Sequence, residues 1–91
     1  MAVLLVHLLK WEYQPEHQSG GWQRTIKEQR KAIARRLKNT PSLKDSINDS
    51  EWFEDVWGDA ISIAINETGI SNFPEACPWT IENILSEHWL P

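Results

Sequence analysis

The sequence predicts an all-α protein, a small bundle of four to five helices, and three observations support that prediction. Apolar residues recur at intervals of three and four over most of the chain, which is the period of an amphipathic helix. The five prolines fall between those stretches or at their ends. No segment alternates apolar and polar residues for long enough to indicate a β-strand.

The length of 91 residues predicts a single domain, 1–91, because two smaller cores would not be stable without disulfides or metals. A composition with 41% hydrophobic and 24% charged residues is typical of globular proteins. The only cysteine, Cys77, cannot form an internal disulfide, and small secreted domains are usually rich in disulfides. The longest apolar run, Ala2–Val6, is too short to cross a bilayer. We therefore expect a cytoplasmic protein with no membrane association.

Residues Ala2–Tyr13 are predicted to form the first helix, because they include neither glycine nor proline and carry leucines on nearly all sides of the helical wheel. A helix that is apolar almost all round is normally buried on several sides, so this helix should be the central element. Pro15 is expected to end it, and Ser19-Gly20-Gly21 to form a loop.

Residues Trp22–Leu37 are predicted to form an amphipathic helix antiparallel to the first. One face carries isoleucines and a leucine, and the opposite face is basic. Five cations share that solvent face, namely Arg24, Lys27, Lys31, Arg35 and Lys38.

Three further helices are expected from capping signals. Thr40-Pro41 should begin a short helix that ends at about Asn48, with Thr40 as the N-cap. Asp49-Ser50 should cap a helix over Trp52–Asn66 that Thr68-Gly69 ends, and Thr80 a last helix to about Glu87. The fourth helix should bury one half of its surface: Trp52, Phe53, Val56, Trp57, Ala60, Ile63 and Ala64. Pro74–Pro78 should be an ordered turn that fixes the last helix.

The net charge of −4 conceals two halves of opposite sign. Residues 1–44 hold all nine lysines and arginines and three acids, a net charge of +6. Residues 45–91 hold ten acids and no lysine or arginine, a net charge of −10. Either the halves neutralise each other or each faces a different partner.

The motifs of common enzymes and metal sites are missing from the sequence. His7, His17 and His88 lie in three separate segments without metal-ligand spacing. Cys77 would need a base from a distant segment to act as a nucleophile. No glycine-rich phosphate loop or nucleophile elbow is present. We expect neither an enzyme nor a cofactor or metal site.

One polar cluster is expected between the first two helices. Gln29 falls within the apolar stripe of the second helix, where an amide needs a hydrogen-bond partner. A buried polar clasp between the helices would provide it, formed by His7, Lys10 and Gln14 with Glu28, Gln29 and Arg30. An active site in this cluster is the less favoured interpretation.

Four stretches carry a resemblance to a known family: residues 7–16 (HLLKWEYQPE), 22–30 (WQRTIKEQR), 67–69 (ETG) and 73–80 (FPEACPWT). In these the chain resembles a bacterial family catalogued as domain of unknown function 29 (DUF29), over nearly its whole length. The resemblance implies an all-helical fold but no activity, cofactor or catalytic residue. Family members usually carry an acidic helical segment ahead of the matching part, so we expect this chain to be a short form.

The favoured function is a non-enzymatic protein-interaction module, an inhibitor or antitoxin-like protein that occupies a surface of a larger protein. Its many acids would suit a partner with a basic nucleic-acid-binding groove, because charge complementarity speeds encounter. Glu51, Asp55 and Asp59 are the candidate binding residues, since they share one helix face. The alternative is a nucleic-acid-binding protein that uses the five cations of the second helix, although the ten acids of the second half disfavour it.

Self-association through the first helix is also expected. With few helices left to cover it, apolar side chains of this helix should remain exposed and pair in a homodimer, or in a heterocomplex that takes its place. The candidates are Val3, Leu4, Leu5 and Leu8. The opposing interpretation is that Trp52, Trp57 and Trp89 cover the helix within one chain.

Overall fold

The computed structural model describes residues 1–91 and confirms the all-α prediction, with five α-helices and no strand. A single 3₁₀ turn, Pro15–His17, follows the first helix. The helices are α1 (Ala2–Tyr13), α2 (Gly20–Asn39), α3 (Ser42–Ile47), α4 (Ser50–Thr68) and α5 (Ile81–Leu85).

Helix α1 is the central element of the bundle, as its leucines predict. Leu4, Leu5, Leu8 and Leu9 are all 0% exposed. The helix packs against α2 on one side and against α4 on the other, while α3 joins α2 to α4. The molecule is flat, 37 × 28 × 18 Å, because α1, α2 and α4 form one layer with α1 in the middle.

Helices α2 and α4 each bury one stripe against α1. From α2 the buried apolar residues are Ile26 and Ile33, and from α4 they are Trp57, Ala60 and Ala64. The small alanines allow α4 to approach α1 closely. The prediction that Ile63 is buried is wrong, because this side chain is 41% exposed. Ile63 lies about 100° around the helix from Ala64, which places it beyond the contact stripe.

Residues 70–91 cross one side of the helical layer from α4 to α2 and complete the core. The Trp79 ring packs edge-on against both Trp57 of α4 and Trp89, at centroid distances of 5.6 and 5.7 Å. Trp57 also donates from Nε1 to the main-chain oxygen of Pro74 at 3.2 Å. Phe73 packs against Tyr13 of α1 at 4.8 Å. Residues 74–78 contain a bend at Glu75–Ala76 without a backbone turn hydrogen bond, and the Trp89 tail docks onto its own domain.

This C-terminal covering removes the surface on which self-association was expected. Leu4, Leu5 and Leu8 have no exposed area within the single chain, and only Val3 is exposed, at 47%. The prediction that these three leucines stay exposed in a single chain is wrong, whereas self-association itself stays a prediction. The chain hides them by folding residues 70–91 back over the layer, with Trp79 and Trp89 packed on the core.

Most of the capping predictions are confirmed. Asp49 accepts hydrogen bonds from the main-chain N–H groups of Glu51 and Trp52, and Thr80 Oγ1 accepts one from Asn83. Gly69 ends α4 with a φ of +73°, a left-handed conformation that glycine adopts without steric cost.

Two local predictions are wrong. Gly20 and Gly21 are helical rather than part of a loop, because Ser19 caps α2 by accepting a hydrogen bond from Trp22. Thr40 is not the side-chain cap of α3: Pro41 occupies the N-cap position, and no side chain caps that helix.

Candidate functional site

A single ion pair joins the two charged halves of the chain. It is Lys10–Glu67 at 2.8 Å, and the one other contact between a basic and an acidic side chain is His17–Glu16 at 3.9 Å. None of the seven cations of α2 takes part in either one. Apart from Arg30, which is buried, and Glu67, which is paired, the charged side chains of α2 and α4 are exposed to solvent.

The acidic face of α4 consists of Glu51, Asp55 and Asp59, which are all exposed. They recur every four residues, so they lie on one side of the helix, one above the other. None of them is in an ion pair. The structure therefore confirms that these three acids form an accessible surface.

Helix α1 separates this acidic face from the cations of α2. Packed helices have their axes about 8–10 Å apart, and α2 and α4 each pack against α1 rather than against each other. At physiological ionic strength the Debye length is about 8 Å. Salt largely screens exposed charges that lie further apart than this length.

A basic groove runs between α2 and residues 85–90. It consists of two adjoining cavities of about 500 and 680 Å³. Both are lined by Lys27, Arg30, Glu87 and His88. Arg24 extends the basic lining of the first cavity, and Lys31 and Arg35 that of the second.

The rest of the groove lining is largely aliphatic, and the four apolar side chains among it are Ile26, Ala34, Leu85 and Leu90. No phenylalanine, tyrosine or tryptophan lines either cavity. The groove can therefore offer positive charge and hydrogen-bond donors, but it has no large aromatic ring on which a planar group could stack.

Arg30 is the central residue of the groove and the only charged residue that is buried, at 6% exposed. Its Nε donates to the main-chain oxygen of Ile84 at 2.8 Å, and its Nη2 to that of Trp89 at 2.7 Å. No carboxylate pairs with it. Burial lowers the pKa of the Arg30 guanidinium, but an arginine keeps its charge in proteins.

The predicted polar clasp between α1 and α2 does not form. His7 bonds through Nδ1 to the main-chain oxygen of Val3, within its own helix. Arg30 bonds to the C-terminal segment, and Glu28 is exposed. Gln29 is partly buried without a hydrogen-bond partner among the protein groups, because its border position lets its amide reach solvent.

Lys10, also expected in the clasp, contributes a different contact between α1 and its neighbours. Its Nζ pairs with Glu67 of α4 and lies 5.8 Å from the centre of the Trp22 ring of α2. A lysine at this position therefore joins all three helices of the layer by a salt bridge and a cation–π contact.

The structure brings four of the five predicted nucleic-acid-binding residues to the groove. Arg24, Lys27, Lys31 and Arg35 line it, whereas Lys38 lies on α2 beyond the cavities. Arg30 and His88 are groove residues that the sequence did not indicate. One signal was available for Arg30: it borders an apolar stripe and has no acid one helical turn away on α2.

Cys77 is partly buried and donates through Sγ to the main-chain oxygen of Trp79 at 3.5 Å. Burial raises the pKa of this thiol. No group of three or more histidine, cysteine or acidic side chains is close enough to bind a metal ion. None of the helices has the length and apolar character needed to cross a bilayer.

Together the fold and the groove define a small all-α protein with an acidic face and a basic groove on opposite sides of a buried central helix. The sequence pattern of one family, described as "Domain of unknown function DUF29", matches residues 1–90. The chain therefore belongs to the DUF29 family, as its motifs indicate. Searches of curated proteins and of solved structures find no match.

Proposed function

We propose that this protein is a non-enzymatic interaction module that binds a larger protein through the acidic face of α4. The observation that carries the proposal is the lack of any ion pair to Glu51, Asp55 or Asp59. Three exposed carboxylates on one helix face fit a basic surface on a partner.

The position of the acidic face supports this proposal. Glu51, Asp55 and Asp59 are exposed, and α4 packs against α1 rather than against α2, so a protein can approach these acids from the solvent side of α4. Electrostatic complementarity of this kind raises the rate of association and disfavours wrong partners. A partner whose basic surface is its own nucleic-acid-binding groove would be blocked by this contact, which is the inhibitor or antitoxin-like form of the proposal.

The experiment uses affinity-tagged protein and two double variants of equal net charge. In the test variant, Asp55→Lys and Asp59→Lys reverse two acids of the acidic face. In the control variant, Glu12→Lys and Glu75→Lys reverse two exposed acids of α1 and of the loop after α4. All four residues are exposed and none is in an ion pair, so neither variant removes an ion pair of the fold.

Proteins captured from an extract of the source cell are compared among the three forms, and the association rate of any candidate partner is measured at low and high salt. The proposal requires a partner that the wild type and the control retain and the test variant loses, with an association rate that falls as salt rises. Capture that is the same for all three forms would rule out the acidic face as the binding surface.

A further inference from the structure

We infer that the basic groove binds the sugar-phosphate backbone of a nucleic acid. This inference concerns the opposite side of the molecule from the acidic face and does not rest on the function proposed for that face. It is carried by a buried cation without a counter-ion and by a row of cations along the groove.

Arg30 is a buried charge whose pairing is incomplete. A guanidinium has five N–H donors, of which two bond to the oxygens of Ile84 and Trp89. Both acceptors are neutral, although buried charges are normally paired with an opposite charge. Arg30 lines both cavities of the groove. An anion seated there would supply the missing negative charge and accept from the remaining donors.

The other groove cations form a row rather than a ring. Arg24, Lys27, Lys31 and Arg35 project from one side of α2, within about 80° of each other on the helical wheel. At a rise of 1.5 Å per residue, the first and last are about 16 Å apart along the helix. A single phosphate could contact only part of such a row, whereas a chain of phosphates could follow it.

The groove lining favours contact with the backbone over contact with bases. No phenylalanine, tyrosine or tryptophan lines the cavities, so stacking of bases is limited to the His88 ring and the arginine planes. Lysine and arginine contacts to phosphates provide affinity without reading sequence. The acids of α4 lie beyond α1, so Glu87 is the one acid that borders the groove.

The test is fluorescence anisotropy with a labelled DNA duplex of random sequence, about 20 base pairs or two helical turns long. Five groove cations on phosphates predict that log K falls against log salt with a slope of about −4.5. Lys27→Ala with Lys31→Ala should weaken binding to every sequence and flatten the slope by about two. The control, Lys38→Ala with Lys44→Ala, has the same net charge and alters two exposed lysines outside the cavities, so its slope should equal that of the wild type.

A second pair of variants tests the groove by an expected increase, rather than a decrease, in duplex affinity. Glu87→Gln removes the acid that borders the groove, and it should strengthen duplex binding about two- to fivefold, the range that exposed charge pairs contribute. Glu82→Gln, an exposed acid of α5 outside the groove, should leave the affinity unchanged. Equal affinities for the wild type and Glu87→Gln would place the nucleic acid elsewhere on the protein and overturn the inference.

Other outcomes would overturn it as well. No binding at low salt and micromolar protein excludes a nucleic-acid site. If Lys27→Ala with Lys31→Ala and Lys38→Ala with Lys44→Ala lose the same duplex affinity, then net charge, rather than the groove, attracts the duplex. Displacement of the duplex by inorganic phosphate alone assigns the groove to a small anion, and equally effective displacement by poly-glutamate assigns it to an acidic protein.

Discussion

Arg30 in the middle of α2 donates a hydrogen bond from Nη2 to the main-chain oxygen of Trp89, two residues from the end of the chain, at 2.7 Å. The same guanidinium holds Ile84 of α5 through Nε. One side chain therefore fixes both ends of the segment that forms the second wall of the basic groove. The two hydrogen bonds of Arg30 thus both hold that wall in place and keep the guanidinium buried.

Replacing Arg30 by alanine should destabilise the fold by about 1–3 kcal/mol, because two main-chain oxygens lose their charged donor. Arg30→Lys should recover only part of that loss, since an ammonium group lacks the planar fork that reaches both oxygens. Urea unfolding followed by tryptophan fluorescence measures both effects.

The control is Arg36→Ala on the same helix. Arg36 is exposed and has no ion pair, so its loss should change the free energy of unfolding by no more than about 0.5 kcal/mol. Equal effects of Arg30→Ala and Arg36→Ala would show that the guanidinium does not hold the C-terminal segment.

The Trp79–Trp89 contact should have a measurable coupling energy. The two rings meet edge-on at 5.7 Å, and such pairs contribute about 0.5–1.5 kcal/mol beyond the burial of their area. A double-mutant cycle with Trp79→Ala and Trp89→Ala should give a coupling in that range. Trp52 and Trp89 make no aromatic ring contact, so the corresponding cycle should be additive within about 0.5 kcal/mol. Additivity in the first cycle would contradict the docking of the tail.

The local elements of this fold could be predicted from sequence because their signals are local. Ala2–Tyr13 is helical over the predicted range, since it contains neither glycine nor proline and Pro15 follows soon after it. Asp49, Gly69 and Thr80 act as predicted because a cap needs only a side chain and the few residues next to it.

The site could be predicted only in part, because it depends on contacts between distant residues. The periodicity of α2 placed Arg24, Lys27, Lys31 and Arg35 on one face, and that face borders the groove. The other wall comes from residues 85–90, more than 50 positions along the chain. No local pattern indicates that Arg30 reaches Ile84 and Trp89. Its place beside the apolar stripe of α2 instead suggested a polar clasp with α1, which does not form.

Because α1 is the central helix, substitutions at two of its neighbouring residues should change the free energy of unfolding by very different amounts. Leu4 is 0% exposed, and Leu4→Ala should cost about 2–5 kcal/mol through lost burial and the cavity that remains. Val3 is 47% exposed, so Val3→Thr should change the free energy of unfolding by no more than about 0.5 kcal/mol. Thermal unfolding of both variants measures the difference. A small effect of Leu4→Ala would mean that α1 is not the core helix.

Cys77 predicts a pH dependence of both reactivity and stability. Burial raises the pKa of its thiol, and the thiolate is the form that alkylating reagents attack. At mildly alkaline pH, carbamidomethylation of Cys77 should therefore be slower in the folded protein than in the protein unfolded by urea. Equal rates in the two states would show that the thiol is neither shielded nor shifted.

The same shift determines the sign of the effect on stability. Between the ordinary thiol pKa and the raised one, the folded state binds more protons than the unfolded state, so the free energy of unfolding falls as pH rises. The contribution of Cys77 to the free energy of unfolding is constant below the ordinary thiol pKa, and it is lost as pH rises from that value through the raised pKa. Cys77→Ala removes the thiol and with it this contribution. The wild type should therefore lose stability more steeply than Cys77→Ala through the alkaline range, and parallel curves in urea titrations at several pH values would refute the shift.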